Sequence, residues 1–131
     1  MNQDAFNALC DPLFAGLRAG EHLFCNLGAE SSDFVRLNHN RIRQAGSVRS
    51  AGLGLNLIDG ARQAEAACDL SGDLTEDLTR ARHLIGRLRE RIAHLPDDPY
   101  LNYSLEPSTS TRQVGETPPD AQAAVADLIA A

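Results

Sequence analysis

Asp59-Gly60, set between two runs of alternating small and aliphatic residues, constrains this chain more than any other feature. An Asp-Gly pair adopts positive φ readily and joins antiparallel strands through a two-residue turn. With Asp59 and Gly60 as the turn itself, Leu55 faces Ala64, Leu53 faces Ala66 and Ala51 faces Cys68. Side chains alternate along a strand, so those six share one face. The other face receives Asn56 with Gln63, Gly54 with Glu65 and Ser50 with Asp69. One side is apolar and the other polar or bare, the pattern of a half-buried antiparallel sheet. A slip of one residue would turn the leucines to water, which pins the register.

Such a face needs a cover, and the next segment offers one. Asp73 with Glu76 three residues on is a capping-box pattern. It opens a helix whose Leu74, Leu78, Ala81, Ile85, Leu88, Ile92 and Leu95 recur at alternating spacings of four and three. That is one apolar stripe over about five to six turns. The stripe is expected to pack on the leucine face of the sheet. Its narrowness also admits a coiled-coil partner, so a small stand-alone interaction module dimerising through 74–95 is the alternative.

Upstream, Phe6, Leu9, Leu13 and Leu17 form a helical stripe over residues 4–19, interrupted by Pro12. One kinked helix or two short ones are expected, ending at Gly20 as a C′ glycine. Residues 21–27 alternate as a strand, followed by a Gly-Ala-Glu-Ser-Ser turn. A second strand covers 33–37 with Val35 and Leu37 inward, and Asn38-His39-Asn40 suits a tight turn or bulge. A third strand, or a bent continuation, runs from Arg41 to Arg49 with an interruption near Gly46. The expected class is α+β: an antiparallel sheet of about four strands with helices packed on one face.

Three segments divide the chain. Residues 1–95 form an α+β domain, and 96–119 form a Pro/Ser/Thr-rich linker holding five of the six prolines. Asp120 then caps a further helix over 120–131, whose uncapped Leu-Ile-Ala-Ala ending reads as the start of something longer. At 131 residues there is room for one domain with one modest core. With four Phe, two Tyr and no Trp, that core must come from Leu, Ile, Val and Ala. No basic, apolar leader and no run of about 18 apolar residues occurs, so a cytoplasmic protein without a membrane segment is expected.

Chemistry-bearing patterns are sparse. The histidines (His22, His39, His83 and His94) show no C-x-x-C, H-E-x-x-H or Cys/His pairing with metal-ligand spacing. Cys10, Cys25 and Cys68 are odd in number and fall on core elements, which suits buried free thiols. No Ser or Cys has a base aimed at it by local geometry, and Gly52-x-Gly54 lies in a strand rather than before a helix. No catalytic, cofactor-binding or metal-binding residue is therefore expected in this chain. The two strand glycines suit either weaker packing or close approach of another backbone. Arg36, Arg41, Arg43 and Arg49 lie between Asp33 and Asp59 with no acid among them, in a chain of net charge −6. A solvated face explains such a run. An acidic partner surface, or a nucleic acid bound weakly and released by salt, are the alternatives, and the overall charge argues against nucleic acid.

The segment VRLNHNRIRQAGSVRSAGLGLNLIDGARQAEAACDLSGDLTEDLTRA, Val35 to Ala81, resembles the N-terminal region of the TldD/PmbA family. The likeness lies in a charged strand, a short Asn-containing turn, then Gly-x-Gly with alternating aliphatics, Asp-Gly, and a strand leading to a capped helix. The family is associated with metal-dependent peptide hydrolysis and was once described as modulators of DNA gyrase. The resemblance implies a non-catalytic N-terminal lobe of a peptidase assembly, which helps enclose a peptide cleft and pairs with a TldD/PmbA-type subunit as a homo- or hetero-oligomer. The family's H-E-x-x-x-H helix and distant Cys are not in this sequence, so zinc, if used, belongs to another part of the assembly. Arg36, Arg41, Arg43, Arg49, Gly52 and Gly54 are the candidate interaction surface.

Overall fold

The computed structural model describes residues 3–115 and 119–130. Along the chain lie α1 (Gln3–Phe14), β1 (Glu21–Asn38), β2 (Arg41–Asp59), β3 (Arg62–Asp69), α2 (Leu74–Ile92) and α3 (Ala121–Ala130). The strands form one antiparallel sheet in the order β1-β2-β3, and the class is α+β. The sheet has three strands among the described residues where about four were expected. The Gly-Ala-Glu-Ser-Ser segment stays extended inside β1, since Gly28 does not enter positive φ and the chain does not reverse there. Likewise 41–49 and 51–58 are one strand. The reversal between β1 and β2 falls on His39 and Asn40, both left-handed at φ 47° and 58°. The outer parts of the segments expected over 1–95, 96–119 and 120–131 include residues 1–2, 116–118 and 131, which lie outside the described residues.

Two compact units make up the chain: Met1–Glu30 with Arg49–Asn102, and Ser31–Val48 with Tyr103–Ala131.

In the first unit the β2–β3 hairpin differs in register from expectation by two residues. Asp59 pairs with Arg62, Leu57 with Ala64, Leu55 with Ala66 and Leu53 with Cys68. The turn is Gly60-Ala61, with φ +60° at Gly60 and no positive φ at Asp59 or Ala61. Placing the only left-handed residue on glycine, at the first central position, spares Asp59 a conformation that strains a side chain. A shift of two preserves parity, so the same leucines still face the same way.

Leu53, Leu55 and Leu57 are buried together with Leu23 and Ala64 of the neighbouring strands. Over them lie Ala81, Ile85, Leu88 and Ile92 of α2 and Leu9, Cys10 and Leu13 of α1. Each fully buried leucine contributes roughly 1.5–3 kcal/mol relative to exposure. The α2 stripe is thus used within the chain, and its coiled-coil use would compete with this core. Leu74, at the helix start, is 48% exposed. α1 stops at Phe14 rather than reaching Gly20, which instead takes φ +86° in the turn before β1.

Polar bonds fix the helix ends. Asp73 Oδ1 accepts from Glu76 N at 2.9 Å, but Glu76 pairs with Arg80 instead of closing the box. The Ser71 hydroxyl serves the Asp73 amide. Asp77, one residue further along α2, is buried and accepts from Ser71 N, Ser71 Oγ and Gly72 N at 2.7–3.0 Å. Burial alone would raise its carboxyl, yet those bonds and Arg80 outweigh it and hold the pKa down. Glu21, buried at the start of β1, takes a two-pronged bond from Arg89 of α2, 2.7 Å on each oxygen. Arg89 also donates to Gly16 O, which ties the α1–β1 turn to α2.

After α2 the chain crosses the hairpin turn: Asp98 N donates to Ala61 O, and Asp97 pairs with Arg62 at 2.8 Å. In the second unit, Asp120 Oδ1 caps α3 by accepting from Gln122 N and Ala123 N. Asn40 Nδ2 donates to Ile129 O. Val35 and Leu37 are not in the core; Leu37, Ile42 and Val48 are exposed apolar side chains of this unit.

Candidate interaction surface

Because both core helices lie on the leucine face, Gly52, Gly54 and Asn56 of β2 look out from the opposite face of the sheet, while Ile58 on that face is buried at 1% exposure. Gly52, Gly54 and Asn56 pair with Asp69, Ala67 and Glu65 respectively. A surface groove of about 480 Å³ lies here, lined by Phe24, Asn26, Gly54, Asn56, Glu65 and Ala67. Neither glycine is imposed by backbone conformation, since neither has positive φ. Nor are they imposed by crowding: a Cβ on Gly54 would meet Asn26 at 3.8 Å, and one on Gly52 would meet Cys68 O at 3.7 Å. Within the unit, nothing requires a bare floor at these two positions.

Asn56 gives the groove its polarity. Its Nδ2 donates to Gln63 Oε1 at 3.0 Å and to Glu65 Oε1 at 3.1 Å. Gln63 Nε2 in turn donates to Asp98 Oδ2 at 2.9 Å. Carboxylates stand at both ends of this chain and only accept, so the two amides are oriented in one sense. The consequence falls on Asn56 Oδ1, which is buried and has no hydrogen-bond partner among the described residues. A buried unpaired acceptor costs about 1–3 kcal/mol.

The arginines fall in two places. Arg49 belongs to the first unit with Gly52 and Gly54, while Arg36, Arg41 and Arg43 belong to the second. All four are exposed. Arg36 and Arg43 line one surface groove of about 600 Å³ with Asn38 and Gln44. Arg36 donates to Gln44 Oε1 at 3.3 Å and lies 5.8 Å from the centroid of the Phe34 ring. That ring also closes over Gly46, where a Cβ would sit 3.1 Å from it. Ser47 donates to Asp33 on the neighbouring strand. Arg41 does not line this groove.

No protein-family model, curated protein or solved structure matches this chain.

Cys10 is buried, Cys25 and Cys68 are half-buried, and all three are free thiols. Burial pushes the Cys25 thiol up to about 12, with the neighbouring Cys10 adding to the rise. Burial likewise raises Cys10 and Cys68. No group of three or more His, Cys, Asp or Glu is placed to hold a metal ion among the described residues. Among the described residues no helix is long and apolar enough to cross a membrane.

Phe24, Asn26, Asn56, Glu65 and Ala67 join the groove although sequence reasoning singled out only its glycines. Alternation alone puts Asn56 on the open face. Its orphan oxygen depends on Asp98, 35 residues from Gln63, and no local pattern carries that.

Proposed function

We propose that this chain is a non-catalytic α+β lobe of a TldD/PmbA-like peptidase assembly, in which the open sheet face forms part of a peptide cleft. The observation that carries the reading is the groove floored by Gly54, where neither backbone conformation nor crowding requires a glycine. An extended peptide presents backbone N–H and C=O groups along its edges, and the Glu65 carboxylate and Asn26 amide that line the groove can accept from and donate to them. The bare glycine floor lets a main chain approach more closely than any side chain would. The residue pattern from Val35 to Ala81 supports the same assignment.

The arginines serve the pairing of subunits in this reading. Arg36 and Arg43, sharing one groove, meet acidic groups of a TldD/PmbA-type partner, which carries whatever metal the assembly uses. A chain lacking an activated nucleophile and a metal motif turns over no peptide by itself, with or without added zinc.

The test is a ¹⁵N NMR titration of the chain with a blocked hexapeptide of Gly, Ala and Ser. Shifts confined to Gly54, Asn56, Glu65 and Ala67, lost in Asn56→Leu, are the expected result. An unchanged spectrum at millimolar peptide, or hydrolysis of the peptide by the chain alone, refutes the assignment. Mixing with duplex DNA at low ionic strength is expected to shift nothing around Arg36 and Arg43.

A further inference from the structure

β3 is the end strand of the sheet, and its outward side carries unused hydrogen-bonding groups. In an antiparallel ladder, bonded and non-bonded pairs alternate. Leu70 N donates to Ala51 O at 2.8 Å, which marks that pair as a bonded one. Counting back in twos, Cys68, Ala66, Ala64 and Arg62 bond to β2. Gln63, Glu65, Ala67 and Asp69 therefore turn their N–H and C=O groups away from it. Arg80 of α2 reaches over to the Asp69 carbonyl. Among the described residues no backbone bond is made to the outward groups of Gln63, Glu65 or Ala67.

An exposed edge of this sort is a template for another strand, and proteins commonly blunt it with Pro, Lys or a bulge. β3 reads Arg-Gln-Ala-Glu-Ala-Ala-Cys-Asp, with no Pro, Lys or bulge and with its charges mixed, Arg62 against Glu65 and Asp69; its register with β2 runs one to one throughout. Beside the edge, between β3 and α2, runs a groove of about 600 Å³ lined by Ala67, Leu84, Arg87, Glu90, Arg91 and His94. Leu84 is only partly buried. The charges on this flank, Arg87 and Arg91 against Glu90 and Glu65, balance in sign. A flank with no charge excess of either sign does not repel its own copy turned through a two-fold axis.

We propose that two copies of this chain pair antiparallel through the β3 edge, joining their sheets into one of six strands. The register follows from the side chains. An axis at Glu65 would set two glutamates directly opposite, which is unfavourable. An axis at Ala66 opposes alanine to alanine at the close spacing of a non-bonded pair. It also makes Glu65 and the partner's Ala67 exchange both main-chain bonds, and Ala67 does the same with the partner's Glu65. Leu84 and the balanced charges of α2 then face their equivalents across the axis. This pairing does not rest on the peptidase reading, since it uses the outward main-chain groups of β3, although Glu65 and Ala67 also line the Gly54 groove.

Sedimentation equilibrium of the full chain at about 100 μM tests it. The expected mass is twice 14.1 kDa. Ala67→Pro removes an N–H that makes no bond within the chain, in the kind of edge position that tolerates proline. It is expected to give a folded monomer, with far-UV dichroism and cooperative unfolding retained. Ala66→Cys is expected to form a covalent dimer with oxidised glutathione, because opposed Cα atoms of a non-bonded pair, about 4.5 Å apart, lie within disulfide reach. The native chain, with its own three thiols, is the control. A native monomer at that concentration overturns the proposal, as does an oligomer growing without limit through some other edge. So does a dimer that survives Ala67→Pro unchanged. Should Ala67→Pro unfold the chain, the crosslink decides: absence of covalent dimer from Ala66→Cys refutes the seam.

Discussion

Gly54 and Leu55 are adjacent on β2 and face opposite sides of the sheet, so replacing each with alanine probes both faces with one residue type. Leu55 is 2% exposed and packs under the two helices. Leu55→Ala removes three carbons, worth about 2.4 kcal/mol at roughly 0.8 kcal/mol per buried CH₂. The cavity left behind brings the cost to about 3–4 kcal/mol. Gly54→Ala adds a methyl to the open face, where its nearest neighbours lie at 3.8 Å, an ordinary contact. A strand glycine is about 0.5–1 kcal/mol less stable than alanine, so this substitution stabilises by a few tenths to ~1 kcal/mol. The two changes thus have opposite signs and differ by about 4 kcal/mol. Urea unfolding followed by far-UV dichroism reads this directly. With a slope of about 1.5 kcal/mol/M, the Leu55→Ala midpoint falls by roughly 2 M and the Gly54→Ala midpoint rises by a few tenths. A Gly54→Ala midpoint lowered by 1 M or more would show that the glycine face is packed, and the reasoning would fail.

Other expectations concern the polar bonds of the first unit. Glu21 lies below its ordinary value of 4.5, chiefly because Arg89 bonds to both of its oxygens. A carboxyl depressed in the folded state contributes stability above its unfolded pKa and loses it as pH falls through the folded value. Acid titration should therefore weaken the native chain from about pH 4.5 downward, and Glu21→Gln should flatten that part of the profile; an identical profile refutes it. Glu21→Ala strands Arg89 and is expected to cost about 3 kcal/mol in urea unfolding, the low end for a broken buried pair because Arg89 keeps some water. Asp77→Ala unpairs the Ser71 and Gly72 amides, and a loss of about 1–3 kcal/mol with earlier fraying of α2 in hydrogen exchange is expected. A thiol reagent at pH 8 should label the half-buried Cys25 far more slowly than a free thiol, since its thiol is pushed up to about 12; labelling at the rate of a free thiol would contradict that environment.

Much of this fold is written in local patterns. The capping aspartates Asp73 and Asp120 accept from the helix amides their positions suggest. The stripe of α2 and the leucines of β2 meet, because both periodicities are long enough to define a single buried face. Strand count was less legible. Gly28 and Gly46 look like breakers in isolation, yet pairing with a long neighbour keeps both extended. The hairpin register depended on which turn residue takes positive φ, a choice that Asp-Gly leaves open and Gly60 settles alone. Glu21 with Arg89, and Asn56 with Gln63 and Asp98, join residues far apart in sequence, so no local pattern announces them. Of the candidate surface, the glycine floor was readable from alternation, whereas the missing donor at Asn56 was not.

The peptide-cleft reading depends on a leucine face closed by two helices and on an opposite face left open around Gly54. A soluble paramagnetic agent distinguishes them in one spectrum, by broadening protons that water can reach. The methyl signals of Leu53, Leu55 and Leu57 should stay sharp while those of Ala67 and the Phe24 ring, 44% exposed, broaden strongly. Equal broadening of the leucine methyls and Ala67 would contradict the account.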